Sequence, residues 1–171
     1  MWGRGRCGGL WGRAYASVLL VVDVAGEVPV SGVPDSFLAF WRARHLCTLA
    51  GPRPDGSVHQ VPVGATYDPS EHLVRVITSA SSFKAVNLAA RPGTRVSVCQ
   101  VDGRWWSTLE GPALVVADPE EVAEAERRYA LRYRPPRPNP DRVVIRVRVE
   151  RVLGNVRPEP ASEAEPRAEA V

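Results

Sequence analysis

From Pro34 onward the apolar and polar positions follow two periods, interrupted at short intervals by turn residues. Phe37, Leu38, Phe40 and Trp41 fall at helical spacing behind Pro34 and Asp35, which predicts a helix opened by that pair with Asp35 as its N-cap. Strand-like runs follow at 45–51, at 57–67 after the turn RPDG, and at 73–79 after the turn DPSEH. Pro62 inside the second run marks an edge strand or a bulge. A short helix to about Ala90 is ended by RPG, and the runs 94–101 and 104–117 form a hairpin about Asp102 and Gly103. Asp118 and Pro119 open the clearest helix, 119–133, with a capping Asp, a proline in the first turn and early acids, and RPPRPNP stops it. In the last run, 142–154, Val143, Ile145, Val147 and Val149 alternate with Val144, Arg146, Arg148 and Glu150, which predicts one buried face. Six strands, mostly in hairpins, with helices between them, place the chain in the α+β class as a small barrel.

Composition narrows the function classes. The chain has 171 residues, which suits one domain, and 44% of them are hydrophobic. A net charge of +3 is too small a surplus to imply nucleic acid. Arginines 127, 128, 132, 134 and 137 cluster locally, and a solvated helix face with its tail accounts for most of them. Cys7, Cys47 and Cys99 are odd in number and form no C-x-x-C pair, so neither a zinc site nor a disulfide framework is supported, and no His, Glu and Asp cluster suggests a metal. A reducing cytoplasm is the simplest setting.

The two ends differ from the middle. Residues 1–33 are Gly- and Arg-rich and then carry an apolar run of about nine residues before Asp23, too short to span a bilayer. Basic residues before a short apolar run resemble a secretory signal, but Asp23 and the lack of a clean small-x-small site argue against it. The expectation for 1–33 is an N-terminal extension that is disordered or that precedes a true start further downstream, the latter preferred. Gly3, Gly5 and Gly8 spell G-x-G-x-x-G, but with only two residues before them there is no strand to make a dinucleotide site. Residues 155–171, rich in Pro, Glu and Ala, read as a disordered tail.

Of the 22 lysines and arginines only one is lysine, Lys84, set among small hydroxyls in TSASSFKAVNL. If Ser81 or Ser82 caps the helix that begins near Phe83, Lys84 stands in its first turn. A cation there is unfavourable by about 0.3–1 kcal/mol, and a docked anion reverses the sign. An exposed lysine that snorkels to solvent is the competing account, and the residues alone leave the two even. Trp105 and Trp106, adjacent on a strand, must face opposite sides, one in the core and the other free to stack on a planar ligand or to bury at a subunit interface.

The strings HQVPVGATYDP, RVITSASSFKAVN, CQVDGRWWSTLEG, RYALRYRPPRPNP and RVVIRVRVERVLG together resemble the pyridoxamine 5'-phosphate oxidase-like superfamily of flavin and deazaflavin oxidoreductases. Within it they are most similar to the branch that binds coenzyme F420 and includes biliverdin reductases. The resemblance covers about residues 36–154 and implies an antiparallel six-stranded split β-barrel with peripheral helices, homodimeric, with its cofactor in a groove between two subunits. It implies coenzyme F420, or FMN as the alternative, because both share a ring plan and a phosphate. The implied phosphate segment is Thr78, Ser79, Ser82, Lys84 and Asn87. Many relatives carry an arginine where Ser82 stands, which leaves Arg75 or an arginine from another segment to replace it. The implied ring wall is His59, Gln60, Val61, Pro62, Val63 and Gly64, with Gly64 allowing close approach or marking a simple bulge. Gln100 and Trp106 would come from the second chain. Arg132, Arg134 and Arg137 would bind the acceptor's carboxylates or the cofactor's glutamyl tail. The implied activity is hydride transfer from reduced F420 to a conjugated acceptor, a tetrapyrrole such as biliverdin first among them. An FMN-dependent oxidoreductase, another F420 reductase and a non-catalytic cofactor or tetrapyrrole carrier are the alternatives. No proton donor is identified, and His59 reads as a polar residue on a half-exposed strand.

Overall fold

The computed structural model describes residues 33–156 together with a two-residue strand at Leu19–Leu20. The other expectations for the N-terminal extension, and those for the tail beyond Val156, lie outside the described residues. In chain order the elements are β1 (Leu19–Leu20), α1 (Asp35–Arg42), β2 (Cys47–Pro52), β3 (Val58–Val63), β4 (Ala65–Asp68), β5 (Leu73–Ser79), α2 (Phe83–Ala89), β6 (Arg95–Asp102), β7 (Trp105–Val116), α3 (Pro119–Arg132), β8 (Arg142–Arg148) and β9 (Arg151–Asn155). The class is α+β, but the sheet has eight strands between Cys47 and Asn155 rather than six, with β1 added against β9. Both extra strands come from runs that read as continuous. The run 57–67 breaks at Gly64 into β3 and β4, and the run 142–154 breaks at Val149 and Glu150 into β8 and β9.

The strand order is β3-β2-β6-β7-β8-β5-β4, with β9 also on β7, and every pairing is antiparallel. The two ends of this order, β3 and β4, are joined in sequence through Gly64, so the chain itself closes the barrel. The long β7 makes the split. One edge pairs with β6 along 105–112, while the other pairs with β9 at Trp106–Glu110 and with β8 at Ala113–Val116. At the crossover a Cβ on Gly111 would lie 1.7 Å from the Arg148 carbonyl oxygen, so only glycine allows that corner.

Inside the barrel lie the alternating faces of these strands, including Leu49, Val74, Val76, Val98, Leu109, Ile145 and Val147, capped by Phe37, Phe40 and Trp41 of α1. Asp35 occupies the first helical turn of α1 rather than its N-cap. Pro34 holds the cap position and makes no side-chain cap bond, having no polar side-chain atom to offer. Asp118 does cap α3, accepting from the backbone N–H groups of Glu120 and Glu121 at 3.0 Å. Val143, Ile145, Val147 and Val149 are buried as their alternation predicts. Val144 is buried as well, because the opposite face of β8 carries α3: Arg142 pairs with Glu126, and Arg146 with Glu121 at 3.0 Å. A second clasp fixes α3 to the β4–β5 hairpin. The buried Asp68 carboxylate meets Arg128 at 2.7 Å and Arg75 at 3.6 Å, while Arg75 also pairs with Glu71. Among the described residues no helix is long and apolar enough to cross a membrane.

Candidate functional site

Gly64, where β3 gives way to β4, forms one side of an open cleft of about 520 Å³. Pro62 and Val63 stand beside it, Ile77 of β5 and Lys84 of α2 lie across from it, and Tyr129 of α3 closes the back. The remaining wall is the stretch after α3, Arg134 to Asn139, with Arg142 at the start of β8. Four elements distant in sequence therefore converge because the barrel closes at Gly64.

The α2 side is built by hydroxyls. Ser82 is the N-cap of α2, its Oγ accepting from the Ala85 N–H at 3.4 Å, and Thr78 on the end of β5 donates to the same Oγ at 3.1 Å. Ser79 and Ser81 share a second hydroxyl bond at 3.1 Å. This arrangement sets Lys84 in the first turn, half-buried, with no acid in that turn and no ion-pair partner among the described residues. Burial pushes its ammonium below the ordinary value of 10.5. Arg134 and Arg137 on the facing wall likewise have no acidic partner among the described residues, whereas Arg142 faces Glu126. The cleft thus gathers three uncompensated cations around a partly apolar hollow, an arrangement that favours a ligand with an apolar body and more than one negative charge.

The structure brings Pro62, Val63, Gly64, Lys84, Arg134 and Arg137 together, and puts Thr78, Ser79 and Ser82 behind Lys84. His59 and Val61 are half-buried, while Gln60 is exposed on the outer side of β3. The His59 ring meets Phe83 edge-on with centroids 4.6 Å apart, and its Nδ1 lies 3.4 Å from an Arg53 nitrogen, so it packs beneath α2. Asn87 is tied into the fold, donating to the Pro52 carbonyl at 3.0 Å and accepting from Arg91 at 2.7 Å. Gln100 is fully buried: it donates to the Phe40 carbonyl at 2.7 Å, and its Oε1 accepts from Arg132. Arg132 is absent from the cleft and instead bonds the carbonyls of Ala43 and Ala65. Arg75 replaces no missing phosphate contact, since it is buried in the clasp with Asp68 and Glu71. Trp105 is buried and Trp106 is 40% exposed, on opposite sides as adjacent strand residues must be.

Sequence reasoning missed Ile77, Tyr129, Asn139 and Arg142. Ile77 and Arg142 sit on strands whose alternation was visible, but which strand end meets which helix depends on how the barrel closes. Gly64 does mark a close approach, and what approaches is a side chain of α3, the Tyr129 ring. Among the described residues no group of three His, Cys, Asp or Glu side chains is placed to hold a metal. The Cys47 thiol is buried, and burial raises its pKa, so it is not an activated nucleophile.

A barrel of antiparallel strands closed at a glycine, with a cation-lined cleft at the closure, defines a split-barrel fold. Residues 33–155 match the family model of pyridoxamine 5'-phosphate oxidase, and the chain belongs to that family. It is 55% identical over 121 residues, 71% of this chain and 87% of the relative, to a biliverdin reductase of Mycobacterium tuberculosis that depends on reduced coenzyme F420. Among solved structures, a conserved hypothetical protein from Mycobacterium tuberculosis aligns with a TM-score of 0.62 and 25% identity, covering 82% of this chain and 96% of the other. A protein described as an F420 reductase aligns with a TM-score of 0.55 at 24% identity, covering 70% of this chain and 98% of the other, a likeness of fold.

Proposed function

We propose that the chain is an F420-dependent oxidoreductase that reduces biliverdin to bilirubin. The observation that carries this reading is the set of unpaired cations, Lys84, Arg134 and Arg137, around one cleft at the barrel closure. Coenzyme F420 carries a planar conjugated ring, biliverdin is an extended conjugated tetrapyrrole, and both molecules are polyanionic. A partly apolar hollow with separate cationic points suits such molecules better than a neutral quinone. The 55% identity to a biliverdin reductase across most of that protein's length supports the same choice.

The residues present fit the cofactor. Lys84 and the Ser82 hydroxyl would hold its phosphate, with Thr78 orienting Ser82, and Pro62, Val63 and Gly64 would flank its ring. When bound, the reduced coenzyme supplies the hydride. The protein's part is to exclude water from the apolar part of the wall, to hold the acceptor against the coenzyme ring, and to neutralise the acceptor's carboxylates with Arg134 and Arg137. FMN remains the alternative cofactor, since the phosphate seat does not distinguish the two. We also propose that the working unit is a cytoplasmic homodimer, supported by the exposed apolar pair Val101 and Trp106 on the β6–β7 hairpin. The test is to mix purified protein, reduced F420 and biliverdin and to follow bilirubin formation with loss of the reduced coenzyme. Absence of bilirubin at any coenzyme concentration would remove the proposal.

A further inference from the structure

The wall of the cleft from Arg134 to Asn139, with Pro140 directly after it, holds four prolines in seven positions, at 135, 136, 138 and 140. Each lacks an N–H, so the wall has few donors with which to bond itself in place. Its far end is anchored: the Arg142 N–H donates to the Asn139 carbonyl at 3.3 Å, and the Ala80 N–H donates to the Asp141 carbonyl at 2.8 Å. Its middle is held by a side chain. The Arg142 guanidinium donates through Nη2 to the Arg137 carbonyl. That guanidinium is nearly buried, and its Nε faces the carboxylate of Glu126, one α-helical layer behind the cleft. Glu126 does not itself line the cleft.

We propose that Glu126 is a positioning residue: by fixing Arg142 it sets where Arg137 stands, and so sets affinity for the anionic acceptor without touching it. This rests on the reading of the cleft given above. A long side chain such as arginine has many rotamers, and the carboxylate selects the one that reaches the Arg137 carbonyl. Without the carboxylate, the wall loses its central tie and Arg137 loses a defined position.

The variants are Glu126→Gln, Glu126→Asp, Arg142→Lys and the exchanged pair Glu126→Arg with Arg142→Glu. Each is assayed with reduced F420 and biliverdin, and each is followed by amide hydrogen exchange. Glu126→Gln is expected to raise the biliverdin KM about tenfold at unchanged kcat. It should also speed exchange at the Arg142 and Ala80 N–H groups, which donate to the Asn139 and Asp141 carbonyls of the wall, while leaving α3 protected. Glu126→Asp, which keeps the charge, should stay near the parent. Arg142→Lys keeps a cation for Glu126 and should fold normally, yet it should raise KM because it loses the second donor. The exchanged pair separates positioning from simple stabilisation, since it restores an ion pair but offers no donor to the Arg137 carbonyl. Its melting temperature should recover while KM stays high. Unchanged KM and unchanged exchange in Glu126→Gln, or a KM restored by the exchanged pair, would overturn the proposal. If the parent protein produces no bilirubin, the function proposed above fails, and the exchange rates at the Arg142 and Ala80 N–H groups still decide whether Glu126 holds the wall.

Discussion

The Tyr129 ring occupies the space that a side chain on Gly64 would need: a Cβ there would stand 2.5 Å from Tyr129 Cε2. Tyr129 has little room to retreat, because its ring lies 4.9 Å from that of Tyr133, whose hydroxyl donates to the His45 carbonyl at 2.8 Å. One glycine therefore both closes the barrel and seats α3 at the back of the cleft.

Gly64→Ala should destabilise the protein by about 1–3 kcal/mol through overpacking. Adding Tyr129→Phe should not help, since the clashing atom is a ring carbon, whereas adding Tyr129→Leu should recover part of the loss. Thermal melts of the three variants check this. An alanine variant as stable as the parent would show that Tyr129 moves freely.

Lys84→Ala separates a binding lysine from a structural one. Loss of a charge-assisted contact should raise the cofactor dissociation constant about tenfold or more, since such contacts contribute roughly 1.5–3 kcal/mol. The ligand-free protein should instead become slightly more stable. Burial depresses the Lys84 pKa in the fold, so the charged form is disfavoured there. The cost is fully present at neutral pH and fades as pH rises from the depressed folded value toward the ordinary 10.5. Parent and variant melting curves without ligand should therefore converge in alkali, and titrations with F420 at neutral pH should not.

Asp68 gives the opposite dependence. Burial alone would raise its pKa, but the Ser70 hydroxyl and amide and the Arg128 guanidinium outweigh that and hold the carboxyl below the ordinary 3.8. Its contribution is present above 3.8 and is lost as pH falls through the depressed folded value. Asp68→Asn leaves Arg75 with Glu71 and Arg128 with Glu124, and should cost about 1–3 kcal/mol at neutral pH. Denaturant midpoints should show the gap between parent and variant narrowing in acid. A gap independent of pH would mean that the carboxylate's charge is not what stabilises the clasp.

Much of this was legible in the chain. The period of 142–154, the Asp118 cap and the Asp102–Gly103 hairpin are local signals, and the structure carries each of them. The strand count was not legible. Gly64 and the Val149–Glu150 step interrupt runs whose apolar alternation continues across the break, and only the partner strands show that pairing changes there. The same limit applies to the site. Lys84 stood out because it is unique and its cap is local. Arg132 and Gln100 looked like ligand residues by type, yet they meet each other and the Ala43, Ala65 and Phe40 carbonyls, a contact across the barrel that no spacing encodes. Arg132→Ala should accordingly lower the melting temperature and leave acceptor KM near the parent value for the fraction that folds, while Arg137→Ala should do the reverse.

The assembly prediction turns on two exposed side chains. Val101 and Trp106 are cross-strand partners, 55% and 40% exposed, at the end of the β6–β7 hairpin. A tryptophan left this open loses burial worth about 25 cal/mol for each Å² of apolar surface, so a matching surface on a second copy would recover a useful amount. Sedimentation equilibrium should give a dimer mass for the parent protein. Trp106→Glu places a charge in that contact and should shift the mass toward the monomer, with no change in the far-ultraviolet circular dichroism because the side chain faces away from the core. If the site is shared between subunits, bilirubin formation should fall in step with the dimer fraction as the variant is diluted. A parent protein that sediments as a monomer with full turnover would end the dimer proposal. A Trp106→Glu dimer would instead move the interface to another face of the barrel.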